Sequence, residues 1–254
     1  MTLGRELAPH LPFLRRYARA LTGSQSRGDN LVGHTLATIV ADPAAFPRNI
    51  DPRLGLYAEL IAQWEEERDQ RCTETEGPHL GISEHARQAL LLTSMEGFAA
   101  EDAGYLIGCD RTEVEALAAD ALTGIERQEP TGILIIEDEP MIALDLETLV
   151  RDLGHWVTGI AVTHREAVDA AKLDPPGLVL ADVRLADDSS GIDAVQEILA
   201  ELSLPVIFVT AYPERLLTGD RPEPAFLITK PFQRSTIKAA IGQALYFSRA
   251  GIAA

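Results

Sequence analysis

The hydrophobic pattern of this chain changes period once, near residue 130, and nothing else in the sequence constrains the fold as strongly. From residue 11 to about 125, apolar residues recur at three-and-four spacing, the period of an amphipathic helix. Leu11, Leu14, Ala18 and Leu21 line one predicted face. Val32, Leu36, Ile39 and Val40 line a second, with Asp29 as its N-cap, and Tyr57, Leu60, Ile61 and Trp64 line a third. Residues 71–82 lose the period and carry Gly77, Pro78 and Gly81, which predicts a linker between helical subdomains at about 1–70 and 83–125. After Glu126 the stretch RQEPTG breaks the helix, and residues 133–136 form a short β-branched run of the kind found in buried strands. Strand-like runs recur at 156–162, 178–181, 206–210 and 225–229, separated by helical patterns at 141–153, 163–172, 191–202 and 235–247. That alternation predicts a five-stranded parallel sheet, doubly wound with helices on both faces. Pro140 suits a helix start and Gly154 a helix stop. The expected organisation is therefore two domains, all-α over 1–128 and α/β over 131–254.

Composition decides which partners such a chain can have. It is 46% hydrophobic and 24% charged, as in soluble globular proteins. Lys and Arg number 22 against 39 Asp and Glu, a formal net charge of −17, the wrong sign for a protein whose main partner is a nucleic-acid backbone or an anionic membrane. The helical half shares the bias: residues 1–128 hold 12 Arg and no Lys against 20 acids. Cys72 and Cys109 match neither a CxxC nor a zinc spacing. Arg5, Glu6, Arg15, Arg16 and Arg19 interrupt the apolar residues of the N-terminus, so no export signal is expected. Apolar runs fall far short of the ~20 residues of a membrane-spanning helix, and a cytoplasmic location is expected. The six histidines form no metal-binding pair and are assigned no role.

The candidate chemistry lies at the strand ends. Doubly wound sheets bind ligands beyond the carboxyl ends of their strands, where the strand order reverses. Glu137 and Asp138 follow the first predicted strand, Asp182 the third, Thr210 ends the fourth, and Lys230 follows the fifth. A Glu-Asp pair after a strand is ordinarily a helix cap, and a lone Thr or Lys there is ordinarily solvated. Five such residues at four strand ends form a pocket. Its converging carboxylates repel one another unless a cation is present, and an all-oxygen set favours Mg²⁺. With charge neutralised, a carboxylate can attack a phosphoryl donor, and Asp182 is the expected nucleophile. Thr210 and Lys230 can hold phosphoryl oxygens.

The stretches ILIIEDEP, LVLADVRL, VIFVTAY and FLITKPF together resemble the receiver domain of two-component response regulators, a flavodoxin-like fold, over roughly residues 131–250. The resemblance implies that Asp182 is the phosphoacceptor. It also implies that Asp138 ligates Mg²⁺ directly, Glu137 through water, and Arg184 through its backbone carbonyl. Thr210 and Lys230 take the phosphate-reading roles, and a sensor histidine kinase or small phosphodonor supplies the phosphoryl group. This chain departs from the family twice. Ala186 stands where receivers usually carry Pro, and Gly191 comes nine residues after Asp182 rather than eight. Leu227 occupies the usual aromatic switch position, with Phe226 one step away and Tyr212 as the alternative reporter.

The first half resembles another family. HLPFLRRYARALTGSQSRGDNLVGHTL is similar to region 2 of extracytoplasmic-function sigma factors, and HARQALLLTSMEGFAAEDAGYLIGCDRTEVEALAADAL to their region 4 helix-turn-helix. The second helix of such a motif normally enters the major groove. Here residues 110–122 carry one base, Arg111, against Asp110, Glu113, Glu115 and Asp120, and the region 2 helix continues past Trp64 as Glu65, Glu66, Glu67, Arg68, Asp69. Acids stand where phosphate binding demands bases. A sigma-like domain fused to a receiver resembles the PhyR-type general stress response regulators of alphaproteobacteria. That resemblance implies an anti-anti-sigma factor: phosphorylation of Asp182 frees the sigma-like domain to sequester a NepR-type anti-sigma factor, with no enzymatic activity and no direct contact with nucleic acid. The alternative is a DNA-binding regulator or active sigma factor under receiver control. A phosphatase ranks last, because its DxD motif is absent from Glu137-Asp138-Glu139.

Overall fold

A computed structural model of the chain describes residues 3–71, 82–186, 189–212, 216 and 224–249. These fall into two compact units, Met1–Ala121 and Leu122–Ala254. Among the described residues, no helix is long and apolar enough to cross a membrane.

The first unit is helical: α1 (Leu3–Leu7), α2 (Leu11–Thr22), α3 (Gln25–Ala41), α4 (Pro52–Arg71), α5 (Glu84–Leu90), α6 (Ala100–Ile107) and α7 (Arg111–Glu126), whose residues after Ala121 are counted with the second unit. The α5 helix widens into a π-helical turn over Leu91–Met95. Leu14, Ala18 and Leu21 of α2 and Tyr57, Leu60 and Ile61 of α4 are all buried, as the helical period predicts. Two details of α3 differ from the prediction. The helix starts four residues before Asp29, because Gly23 adopts φ 67° and ends α2, and the extended Ser24 then accepts from the Arg27 N–H. Ser24 is thus the N-cap, and Asp29 lies inside the helix as an ion-pair partner. Val40 is 76% exposed, because the buried stripe of α3 runs instead through Gly28, Leu31, Val32, Thr35 and Ile39. Gly28 sets that phase: a Cβ there would lie 2.6 Å from the Arg19 backbone nitrogen, so only glycine lets α2 and α3 approach so closely.

The predicted linker falls mostly at 72–81, outside the described residues; α4 persists to Arg71 and Ile82 is buried. The helix-turn-helix is present. Gly108 terminates α6 at φ 72°, and α7 opens with a reciprocal capping box in which the Asp110 and Glu113 backbone N–H groups each donate 2.9 Å to the other's carboxylate.

The second unit is an α/β sheet of β1 (Gly132–Ile136), β2 (Trp156–Ala161), β3 (Leu178–Ala181), β4 (Val206–Thr210) and β5 (Phe226–Thr229), all parallel in the order β2-β1-β3-β4-β5. Helices α8 (Pro140–Asp152), α9 (His164–Leu173), α10 (Gly191–Glu201) and α11 (Arg234–Arg249) connect and cover it. Strand alternation sends Leu134, Ile136, Val179 and Ala181 to the face where α9 and α10 contribute Ala167, Val168, Ala171, Ala194 and Ile198. The opposite face meets α8 and α11. The predicted strands and helices are all found, with ends shifted by at most a residue or two. His155 has a role that the sequence did not suggest: it is buried, and its Nδ1 accepts from the Thr131 N–H at 3.2 Å, fixing the entry to β1. The order of strands reverses at β1, which has β2 on one side and β3 on the other, so a crevice opens beyond the ends of β1 and β3.

Candidate functional site

The two strands flanking that crevice deliver the acids. The backbone of Glu137 continues β1 by donating to the Ala161 carbonyl at 2.9 Å, and Asp182 continues β3 by donating to Ile136 at 2.8 Å. Both side chains are consequently carried into the protein, Glu137 at 1% exposure and Asp182 at 7%. Asp138 is half-buried beside them, and Glu137, Asp138 and Asp182 each offer a carboxylate oxygen, all within 4.8 Å of one another. That spacing and the all-oxygen donor set fit a hard divalent cation.

Lys230 reaches the same cluster from the end of β5. Its Nζ lies 2.7 Å from Asp182 Oδ2, 2.9 Å from Glu137 Oε1 and 3.3 Å from Glu139 Oε1. The Lys230 N–H donates to the Thr210 carbonyl at 2.9 Å, so the fifth strand end is tied to the fourth, and a cis peptide bond joins Lys230 to Pro231. Burial opposes the Lys230 charge, but hydrogen bonds to Asp182 and Glu137 outweigh it and raise its pKa. Burial dominates at Glu137, whose carboxyl is pushed up to about 7 despite the hydrogen bond from Lys230. One ammonium therefore offsets the cluster only in part, and there is room for further positive charge.

Thr210 is fully buried at the end of β4, with its Oγ1 accepting from the Tyr212 N–H at 3.2 Å. Tyr212 turns outward, half-exposed, and the Arg184 guanidinium stacks over its ring with the carbon 5.3 Å from the centroid. Leu227 is buried in the apolar core beside β4, where it has no polar contact to report. The loop after Asp182 is pinned by an antiparallel bridge between Arg184 and Ser190 and by the Leu185 N–H donating to Ser189. Gly191 closes it: a Cβ there would overlap the Asp182 carbonyl oxygen, which is the physical reason for glycine at that place. The structure thus gathers Glu137, Asp138, Asp182 and Lys230 into one cluster, with Thr210 on the adjoining strand end. It adds Glu139, whose contact with Lys230 ordinary strand-end reasoning missed because acids in first helical turns are common.

Among the described residues, the helical unit carries no comparable cluster. Its exposed helix-turn-helix surface is acidic, and Arg111 is already engaged, with Nη1 2.9 Å from Glu101 Oε1 and Nε 2.8 Å from Glu115 Oε1.

A parallel doubly wound sheet with a lysine-bridged acidic crevice, preceded by a helix-turn-helix unit, defines a response regulator of the two-component type. A model of the response regulator receiver domain matches residues 133–242, and receiver domains bind Mg²⁺ at an acidic site. Models of the sigma2 domain of PhyR and of the PhyR sigma-like domain match residues 7–61 and 81–128. The chain is 47% identical to the phyllosphere-induced regulator PhyR of Methylorubrum extorquens, over 98% of this chain and 96% of that one. Among solved structures, the response regulator PhyR from Brucella abortus superposes with a TM-score of 0.88 at 47% identity, covering 99% of this chain and 97% of that one. The anti-anti-sigma factor PhyR from Bartonella quintana gives 0.88 at 45% identity, covering 98% of each chain. This chain belongs to the PhyR family of response regulators.

Proposed function

We propose that this chain is a phosphorylation-gated anti-anti-sigma factor: once Asp182 is phosphorylated, residues 1–128 sequester an anti-sigma factor of the NepR type and release a sigma factor for the stress response. The observation that carries the reading is the self-neutralised helix-turn-helix. Its one base on the reading helix is held by Glu101 and Glu115, and what remains faces outward as acid, so the sigma-like shape lacks the charge that promoter binding requires. Such a shape can still occupy a protein that recognises sigma factors. The bacterial relative named an anti-anti-sigma factor supports that choice of partner. The receiver, residues 131–254, supplies the gate, and both halves work in the cytoplasm, where a sensor histidine kinase delivers the phosphoryl group.

The chemistry follows from the crevice. Asp138, Asp182 and the Arg184 carbonyl would hold Mg²⁺, with Glu137 acting through water. When bound, the ion supplies positive charge for the incoming phosphoryl oxygens. An Asp182 carboxylate oxygen attacks phosphorus, and the bond from phosphorus to the donor's leaving atom breaks. Lys230, 2.7 Å from Asp182, moves from carboxylate to phosphoryl oxygen without leaving the pocket. Thr210, whose Oγ1 accepts from the Tyr212 N–H in the unmodified chain, then turns its hydroxyl toward the new acceptor.

Fluorescence anisotropy of promoter DNA with the full chain at ~150 mM salt tests the decoy reading. We expect no sequence-specific binding; affinity in the range of specific DNA binders, ~10⁻⁸ M or tighter, would favour an active sigma factor instead.

A further inference from the structure

The helical unit hides a polar seam that the decoy reading does not use. It runs between α2 and α4 on one side and the segment 84–98 on the other, and three contacts cross it. Trp64 Nε1 donates to Glu84 Oε1 at 3.3 Å, Arg87 Nη2 donates to the Leu21 carbonyl at 2.6 Å, and the third contact is a cluster around Glu96. The Glu96 side chain has no exposure at all. Its Oε1 accepts from Arg16 Nε at 3.0 Å, and its Oε2 accepts from the Tyr57 hydroxyl at 2.7 Å with Arg53 Nη2 3.6 Å away. The same two arginines cap the end of the π-helical turn, Arg16 on the Met95 carbonyl at 3.1 Å and Arg53 on the Glu96 carbonyl at 2.5 Å. Arg53 also lies 4.1 Å over the Phe98 ring, which meets Tyr57 edge-on.

A permanent core satisfies its buried polar groups. This seam leaves some unsatisfied: among the described residues, the Tyr17 hydroxyl and both amide atoms of Gln88 are buried without a hydrogen-bond partner. Tyr17 meets Tyr57 in a tilted ring pair, 5.3 Å between centroids, and Gln88 lies within the clasped segment 84–98, in α5. Each orphaned group disfavours the closed form, while the charged cluster at Glu96 favours it and fixes its geometry. A π-helical turn at the same place is a form of helix found often at functional sites.

We infer that the seam is a latch inside the sigma-like unit: the clasp of Glu96 by Arg16, Arg53 and Tyr57 holds segment 84–98 against α2 and α4, and Tyr17 and Gln88, unsatisfied while it is shut, favour its opening. Its use in admitting an anti-sigma partner rests on the decoy reading; the latch itself does not. Opening exposes Ala89, Leu90 and Leu92, all fully buried in the closed form, and gives the orphaned groups water or a partner's backbone.

Hydrogen exchange on the unphosphorylated full-length chain, with no partner added, tests the latch through two variants that push it in opposite directions. Tyr57→Phe removes the hydroxyl that serves Glu96 and keeps the ring stack, so amides of 84–98 should exchange roughly 10-fold faster while α8–α11 keep their rates. Gln88→Leu removes an orphaned amide, so the same amides should exchange more slowly than in the wild type. Glu96→Gln is the severer third variant, and if it fails to fold the first two still decide. Exchange that speeds up uniformly through the helical unit in Tyr57→Phe, or that moves in neither variant, overturns the latch. Failure to bind an anti-sigma factor would instead count against the decoy reading and leave these rates unaffected.

Discussion

Both units bury charge, and they do so for different purposes. In the α/β unit, buried charge converges: Glu137, Asp182 and Lys230 meet at the reversal of strand order, within hydrogen-bond distance, with burial pushing Glu137 up to about 7. In the helical unit, buried charge is strung along helix contacts, where Arg19 is bidentate to Asp29 at 2.8 and 2.7 Å and Glu96 is clasped between helices. The first arrangement is neutralised only in part by Lys230, as the proposed cation and phosphoryl chemistry requires. The second is neutralised by its own partners, and it fixes which helices meet. A strained charge cluster is thus a guide to chemistry, whereas a satisfied one is a guide to architecture.

The sharpest way to break this comparison is to remove the carboxylate proposed as the phosphoacceptor. Asp182→Asn should abolish labelling by a small phosphodonor with Mg²⁺, read as intact mass, while the wild type gains one phosphoryl group. Equal labelling of both would move the chemistry elsewhere. The next largest effect should come from the architectural side. Arg19→Met removes a fully buried guanidinium and should destabilise the helical unit by about 3 kcal/mol, the lower end for breaking a buried pair. Arg234→Ala, which deletes a half-exposed arginine pairing with Asp145 and Asp152, should have an effect of only about 0.5 kcal/mol by denaturant unfolding.

Acidity separates the two units by sign. Burial raises the Asp29 pKa, but hydrogen bonds from Arg19 and Arg15 more than offset it and hold the carboxyl below its ordinary 3.8. Its contribution is present above the unfolded value and lost as pH falls through the folded one, so the helical unit should weaken below about pH 4. Glu137, raised from 4.5 to about 7, stabilises the α/β unit below 4.5 and ceases to do so as pH rises through about 7, so without a divalent ion that unit should weaken toward neutrality. Unit-resolved hydrogen exchange across pH checks this, and the same sign in both units would dissolve the distinction. The smallest effect expected is at the outer face of α7. Glu113 is occupied as a cap, so reversal is better tried at Glu115 and Asp120; Glu115→Lys with Asp120→Lys should create weak nucleic-acid binding that disappears with salt. Salt-independent binding would mean a contact other than phosphate.

How far the sequence could be read follows the same division. The strand ends at 178–181 and 206–210 match the structure because a buried parallel strand must be a short apolar run, and residues directly after such runs have only the crevice to enter. Asp29 could be mistaken for a cap because its real partners, Arg15 and Arg19, lie one helix away, and no periodicity reveals an ion pair between helices. Val40 fits an apolar stripe by spacing alone; the close approach of α2 at Gly28 turns Leu31, Val32, Thr35 and Ile39 inward and leaves Val40 exposed. The π-helical turn was illegible, since its widened carbonyls are held by Arg16 and Arg53 from distant parts of the chain. Glu139 carries no local signal for a similar reason: its significance comes from a lysine 91 positions away.

The claim that joins the two units is that chemistry in one controls recognition by the other. Calorimetry of a purified NepR-type anti-sigma factor against the full-length chain, before and after treatment with phosphodonor and Mg²⁺ and with Asp182→Asn in parallel, tests it most directly. Phosphorylation should tighten binding about 10- to 100-fold, ~1.4 to 2.7 kcal/mol, in the wild type and leave Asp182→Asn unchanged. Equal affinity of the wild type before and after phosphorylation would contradict the gate and leave the acidic crevice without a role in recognition.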